Sequence, residues 1–313
     1  MPALAAPLQR GAPRRAEMVA PPARSGGPGF IALPLQRSRQ NHLLLRAFIN
    51  GKPALLGVDT GAPVTAVAAS RRAYFGLKPV QPGLGIPSRV EINGTFSSVV
   101  TAKTLRIGGL TLVNEHLVAI DLSNSANAAK QFKEKAIDGI LGVDVLFATK
   151  AVLDCQAPML ILNSDPKSQR SATGVNRPGS QRIPFQVSDG QNLYVSSAIN
   201  GRASKLMLDT GAFATLLHQP FVRRMKIPMR ETRYTSAAVN LKQRGVHMAH
   251  IRNFSVGNLN LLGKDVGVIN LEGLVHGPLL DGSPPVAGLL GAEILRNHHG
   301  VIDFGARCLY LKR

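Results

Sequence analysis

Two aspartates stand in matching settings, Val58-Asp59-Thr60-Gly61-Ala62 and Leu208-Asp209-Thr210-Gly211-Ala212. Each pentapeptide ends an apolar run: Leu55, Leu56 and Val58 in one case, Leu206, Met207 and Leu208 in the other. Such a run reads as a buried strand, and Asp-Thr-Gly breaks it into a tight turn. Each carboxyl is therefore expected at the tip of a buried strand, where apolar surroundings penalise its charged form and raise its pKa. Brought together, two such carboxyls cannot both ionise cheaply, so one pKa rises, the other falls, and the pair holds one proton from acidic to near-neutral pH. The ionised carboxylate can then activate a bound water while its partner protonates a carbonyl oxygen. That is hydrolysis with no covalent intermediate, no metal and no cofactor. Gly61 and Gly211 lack a Cβ and let backbone N–H groups approach the carboxyls. Thr60 and Thr210 carry hydroxyls suited to bond across to the opposite loop.

The pairing of these aspartates is part of a longer repeat. Pro34-Leu35-Gln36 returns as Pro184-Phe185-Gln186, and Ile49-Asn50-Gly51 as Ile199-Asn200-Gly201, at the same offset of 150 that separates Asp59 from Asp209. Further on the offset is 149: Gly139-Ile140-Leu141-Gly142 matches Gly288-Leu289-Leu290-Gly291, and Asp154 matches Asp303. A register kept over this length implies two lobes of one fold related by a pseudo-twofold axis. The lobes are placed at 30–163 and 181–313, with 164–180 as a linker.

Within each half the expected order is the same. A strand (43–49, 193–199) turns at Asn-Gly, a strong hairpin signal, into a second strand that ends at the Asp. A short helix follows near 68–76 and 218–226. The pairing of the Gly- and polar-rich stretches 81–98 and 230–246 is not fixed by pattern. Strands 103–107 and 110–120 join at Gly108-Gly109, and strands 251–256 and 259–269 at Gly257-Asn258. Segment 125–136 reads as a helix with Ser125 as N-cap, whereas its counterpart 274–285 is rich in Gly and Pro. Short helices end at Phe147 and Arg296. With many turns and few long helical periods, the fold class is all-β with a few short helices.

The 313 residues carry 37 basic and 18 acidic side chains, a formal charge of +19. The basic residues are spread along the chain, aromatics are 5% and Trp is absent. That composition poorly supplies stacking platforms for bases, so a nucleic-acid partner is not expected. No apolar run approaches the ~18 residues of a membrane span. Residues 1–29, rich in Pro, Ala, Gly and Arg, read as a disordered basic tail without a signal-peptide core. A wrongly placed start site would look the same, and export stays open. Cys155 and Cys308 lack metal-ligand spacing and read as small buried apolar residues, with a single bridge between them left open. Asp138, matched by Ala287, reads as a local hydrogen-bonding residue, and Asp154 and Asp303 as structural. His298-His299 lacks a third ligand for zinc.

On these residues the chain resembles the aspartic proteases. Each Asp-Thr-Gly-Ala is followed downstream by an apolar-apolar-Gly segment, Ile140-Leu141-Gly142 or Leu289-Leu290-Gly291, and then a short helix. In that family the segment threads behind the Asp loop and supports it. The duplicated single chain is similar to the bilobal pepsins, while the Ala after Asp-Thr-Gly and the short lobes look more like the retropepsins. Bacterial-type retropepsin-like domains, present twice, are the nearest pattern. The resemblance implies a bilobal acid-protease fold with β-barrel-like lobes. It also implies an aspartic endopeptidase acting on a peptide or protein substrate, with Asp59 and Asp209 as the catalytic pair. Thr60, Gly61, Ala62, Thr210, Gly211 and Ala212 support that pair. One chain suffices to build the site. The family closes its cleft with a β-hairpin flap, for which 83–96 and 233–246 are candidates; Gly83 and Gly85 would allow hairpin mobility and Tyr234 would contact substrate. A peptide-binding protein of the same fold without turnover is the alternative, and retention of both Asp-Thr-Gly turns argues against it.

Pepsins usually place Ser or Thr after Asp-Thr-Gly, whereas Ala62 and Ala212 supply no side-chain donor to the carboxyls. Less stabilisation of the ionised form raises the pair's pKa values. Activity is therefore expected to extend to milder acidity than in pepsins. A pH–rate profile confined to strongly acidic conditions would contradict this.

Overall fold

Asn50-Gly51 and Asn200-Gly201 all take positive φ, 49° and 76° in the first pair and 48° and 81° in the second. Two such residues in succession suit the tight turn that joins right-twisted strands. They close the hairpins Leu43–Ile49 with Lys52–Val58, and Leu193–Ile199 with Arg202–Leu208. The computed structural model in which these turns are seen describes residues 17–19, 29–81, 83, 85–92, 95–165, 179–188, 190–238, 241–273 and 279–313.

Each hairpin's second strand carries an aspartate loop at its end, and a short parallel neighbour flanks it. Gly139–Leu141 runs parallel to Lys52–Val58, and Val286–Leu290 runs parallel to Arg202–Leu208. The fold is all-β and bilobal, mostly strand with a few short helices. The undetermined stretches turn out to belong to long hairpins. Arg89–Ile92 pairs with Thr95–Ile107, and Met229–Ala238 pairs with Leu241–Val256. Their strand character comes from pairing with each other across the hairpin, which periodicity along one segment does not encode.

The two halves are joined by backbone. Val152–Asp154 lies antiparallel to Val301–Asp303, with Leu153 opposite Ile302. The sheet continues outward through Met159–Asn163 to Phe30–Pro34 on one side, and through Cys308–Lys312 to Ser180–Val187 on the other. Phe147, Phe185 and Phe304 meet edge-on near this seam, with Phe147 and Phe304 centroids 5.1 Å apart. Such edge-to-face packing adds to the area they bury.

Several expectations need correction or completion. The helix expected over 125–136 spans Ser123–Gln131, and its N-cap is Leu122, not Ser125. Asp121 accepts the Ser123 N–H at 2.8 Å and so anchors the first turn three residues earlier than a Ser125 cap would. The tail read as disordered contains a strand, Glu17–Val19, antiparallel to Thr111–Val113, where the sheet edge offers free backbone partners; residues 1–16 and 20–28 lie outside those described. Most of the expected linker, 166–178, also lies outside them. Cys155 and Cys308 are both free and buried, so no bridge joins them.

Asp154 Oδ1 accepts the Gln156 and Ala157 N–H groups, and Asp303 Oδ1 accepts that of Ala306; both aspartates close turns. Asp138 bonds more widely than a local turn residue. Its Oδ2 accepts the Leu55 N–H and its Oδ1 meets Arg71 Nε at 2.7 Å. His298 Nδ1 pairs with the Lys312 carbonyl, and no cluster of three metal-ligating side chains occurs among the described residues. No helix among them is long and apolar enough to cross a membrane.

Glu115, on the strand Leu110–Ile120, is buried, and its Oε2 has no partner among the described residues. Burial, and then the charge of Asp144, push its pKa up to about 8. Between its ordinary 4.5 and about 8 the folded chain holds a proton that the unfolded chain releases. Stability therefore falls as pH rises through that window. Glu115→Gln should remove that slope, raising Tm by roughly 2–5 °C at pH 8 and leaving it little changed near pH 4, as measured by thermal melts.

Candidate active site

Each aspartate loop is held by the other. The Thr60 N–H donates to Thr210 Oγ1 at 3.0 Å, and the Thr60 hydroxyl donates to the Leu208 carbonyl at 2.8 Å. Reciprocally, the Thr210 N–H donates to Thr60 Oγ1 at 3.0 Å, and the Thr210 hydroxyl to the Val58 carbonyl at 2.9 Å. Thr60 and Thr210 are each 1% exposed, so these four bonds lie out of water. Net hydrogen-bond contributions are modest, but leaving any of these buried groups unpaired costs far more.

This lock brings the carboxyls together. A Cβ on Gly61 would stand 2.6 Å from Asp209 Oδ1, and one on Gly211 would overlap the Asp59 carboxyl. Each glycine thus lies flat against the opposite carboxyl, which only the absence of a side chain allows. Asp59 Oδ1 accepts the Gly61 N–H at 2.8 Å. Asp209 Oδ1 accepts the N–H groups of Gly211 and Ala212 at 2.9 and 3.0 Å. The second oxygen of each carboxyl, Oδ2, is buried and has no hydrogen-bond partner among the described residues.

Burial raises both pKa values. Asp209 is pushed well above the ordinary 3.8, first by burial and then by the adjacent charge of Asp59. Asp59 is raised by burial as well, with the N–H groups of Gly61 and Gly211 pulling it back. Unequal donors acting on two touching acids favour one shared proton.

The segments expected to back the loops lie where they can do so. The Asp59 N–H donates to the Leu141 carbonyl and the Val143 N–H to that of Ala62. In the second half Asp209 donates to Leu290 and Ala292 to Ala212. Ile140 and Leu289 are buried beside them. Gly142 and Gly291 pass so close to the aspartate loops that a Cβ would collide with Val64 and Ala214 backbone respectively. The helices that follow are Val143–Ala148 and Ala292–Asn297.

Two supporting pairs escaped the sequence reading. The hydroxyls of Thr65 and Thr215 accept the N–H groups of Gly142 and Gly291 at 3.1 and 3.0 Å. Asp144 accepts the Thr65 N–H and hydroxyl, and Glu293 accepts the Thr215 N–H. Both pairs recur at the repeat offsets, and that recurrence was the available signal.

The two flap candidates are hairpins, with tips 93–94 and 239–240 outside the described residues. Gly83 and Gly85, at φ 95° and 70°, lie in the segment leading into the first hairpin and not in its strands. Tyr234 projects from the second hairpin at 72% exposure, and Phe96 from the first at 69%. Strand Met229–Ala238 packs against helix Ser123–Gln131 of the other half. That helix supplies Ser125 and Ala129 to a cavity beside Asp59, whose wall also includes Leu44, Val58, Ile137, Ile140 and Gly211.

Family comparisons agree with this architecture. Residues 45–145 match the aspartyl protease family model, and residues 195–297 match the gag-polyprotein aspartyl protease family model. The chain therefore carries two aspartyl protease domains in tandem, one in each half. No curated protein matches it in a sequence comparison.

Thr60→Val keeps shape but removes the hydroxyl, leaving the Thr210 N–H and the Leu208 carbonyl unpaired. It should cost about 2–4 kcal/mol, measured as a lowered denaturation midpoint at unchanged slope. Gly211→Ala should be more disruptive, because its Cβ must displace the Asp59 carboxyl.

Proposed function

We propose that the protein is an aspartic endopeptidase that hydrolyses peptide bonds with a water activated between Asp59 and Asp209. The observation that carries this is the pair of buried carboxyls, one from each half, each with its Oδ1 bonded to its own loop and its Oδ2 free of protein partners. Two oxygens presented in that way can grip one water and a substrate carbonyl.

In the proposed cycle the carboxyl that ionises more readily takes a proton from the water. Its protonated neighbour gives a proton to the peptide carbonyl oxygen as the water oxygen adds to the carbon. The resulting gem-diol collapses with proton transfer to the leaving nitrogen, and the pair returns to its single-proton state. Both pKa values are raised, and the two carboxyls share the proton closely enough that the ionised and protonated roles belong to the pair rather than to either residue alone.

An extended peptide is the substrate class, lying between the lobes beneath one or both hairpins. The cavity beside Asp59 combines apolar walls with Ser38, Gln40, Glu134 and Lys135. At about 30 Å³ it has room for a water molecule or two rather than for a substrate side chain.

Cleavage of a mixed peptide library from mild acid to neutral pH tests the proposal. Asp59→Asn and Asp209→Asn should each lower kcat by about 10³-fold or more, and a statine-type inhibitor should block the parent. Parent-like cleavage by either variant would refute the dyad. Asp209→Asn should also raise stability at neutral pH. The folded Asp209 retains a proton that the unfolded chain releases above about 3.8, so parent stability falls as pH rises past that value and the amide removes the fall.

A further inference from the structure

We infer that His42 is a positioning residue for the aspartate pair. Held by a braced turn of the first half, its imidazole shares a cavity with Asp59 and with Gly211 of the second, and steadies the Gly211 peptide against which both carboxyls are set. The inference rests on the protease proposal and adds a residue that the Asp-Thr-Gly motifs do not contain.

The turn is built to aim one side chain. The His42 N–H donates to Ser38 Oγ at 3.1 Å, and the Ser38 N–H donates back to the His42 carbonyl at 2.9 Å. Asn41 takes φ 61°, and Arg37 holds Asn41 Oδ1 at 2.8 Å. The Arg39 N–H is fixed by Glu134 Oε1 at 2.7 Å. From this turn the imidazole enters the cavity that Asp59 and Gly211 also line, which sets it facing the Gly211 backbone. Gly211 is a sensitive place to pull. Its N–H donates to Asp209 Oδ1, and its Cα lies against the Asp59 carboxyl. A shift in this one peptide moves the environment of both acids.

The second half repeats the turn with a different side chain. The Asn192 N–H donates to Ser188 Oγ and the Ser188 N–H to the Asn192 carbonyl, with Gln191 at φ 60° in the place of Asn41. Asn192 takes the matching position, its Oδ1 buried without a partner among the described residues. The same scaffold therefore carries an imidazole on one side only, and that imidazole shares a cavity with the loop of Asp209.

Burial pushes the His42 pKa down to about 3. The ring is then neutral over the range in which the pair holds one proton, and it supplies a donor without adding a charge. The titratable groups facing it in the cavity are Asp59, from the end of its own hairpin, and Glu134 and Lys135, from the segment after helix Ser123–Gln131. Loss of a fixed donor one peptide away should alter how the two acids divide the proton, not how tightly a peptide is held.

The test uses the full chain with His42→Phe, which keeps a ring but no donor, and His42→Asn, the residue that the second half uses. His42→Phe should lower kcat by about tenfold with KM changed less than about twofold, and should shift the acidic limb of the pH–rate profile. His42→Asn should recover part of the loss. Parent-like kcat and pH profile in His42→Phe, at equal Tm, would overturn the inference; if that variant does not fold, an unchanged pH profile in His42→Asn does so. Independently of turnover, imidazole ¹⁵N NMR of the Asp59→Asn protein should show a ring N–H protected from exchange that disappears in the Asp59→Asn, His42→Phe double variant. Its absence removes the contact and the inference with it. A protected N–H in a chain that cleaves no peptide would support the contact while refuting the hydrolase proposal.

Discussion

The reciprocal bonds between Thr60 and Thr210 are the constraint on which the rest of the molecule depends. Two buried carboxyls repel whenever both are charged, and each loses its hydration on burial. Nothing in such a pair holds itself together. The threonines do so because each hydroxyl and each N–H finds its partner in the opposite half, in a water-excluded place where a missing partner is costly. Carboxyl proximity, raised pKa values and oxygens left free of the protein are consequences of that lock.

The lock needs rigid backing, which each half supplies from its own chain. The parallel strands Gly139–Leu141 and Val286–Leu290 bond the aspartate N–H groups through Leu141 and Leu290. Thr65 and Thr215 then tie Gly142 and Gly291 to the loop, and an acid at the start of each following helix ties the threonine. Close passage of backbone past backbone is what makes Gly142 and Gly291 necessary. Strands from both halves merge in one sheet at Val152–Asp154 and Val301–Asp303, a sheet that includes the second half's aspartate strand, while the first half's aspartate strand and its parallel neighbour lie in the other sheet.

The halves are equivalent in backbone more than in side chains. Where the Leu55 N–H is accepted by the Asp138 carboxyl, the matching Lys205 N–H is accepted by the Pro285 carbonyl. Asp59 receives the N–H of Gly61, whereas Asp209 receives those of Gly211 and Ala212. The second hairpin is the longer and reaches the first half's helix. A symmetric frame thus carries an asymmetric chemistry, which is what unequal acids require.

The sequence by itself determined the duplication, the two aspartates and the hairpins that deliver them. Those features are written in local signals, Asn-Gly turns and apolar runs that end at Asp-Thr-Gly, and in a register that survives along the chain. The bounds Leu43–Ile49 and Leu193–Ile199 were legible for that reason. Only the tertiary structure decided which groups meet. The cross-pairing of Thr60 with the Leu208 carbonyl, the free state of Cys155 and Cys308, and the approach of His42 to Gly211 join residues far apart in the chain. Likewise the start of helix Ser123–Gln131 was set by Asp121 and the long hairpins by strand pairing, neither of which periodicity encodes. Local propensity fixes conformation residue by residue, whereas proximity across a seam is settled only when two separately formed halves are packed against each other.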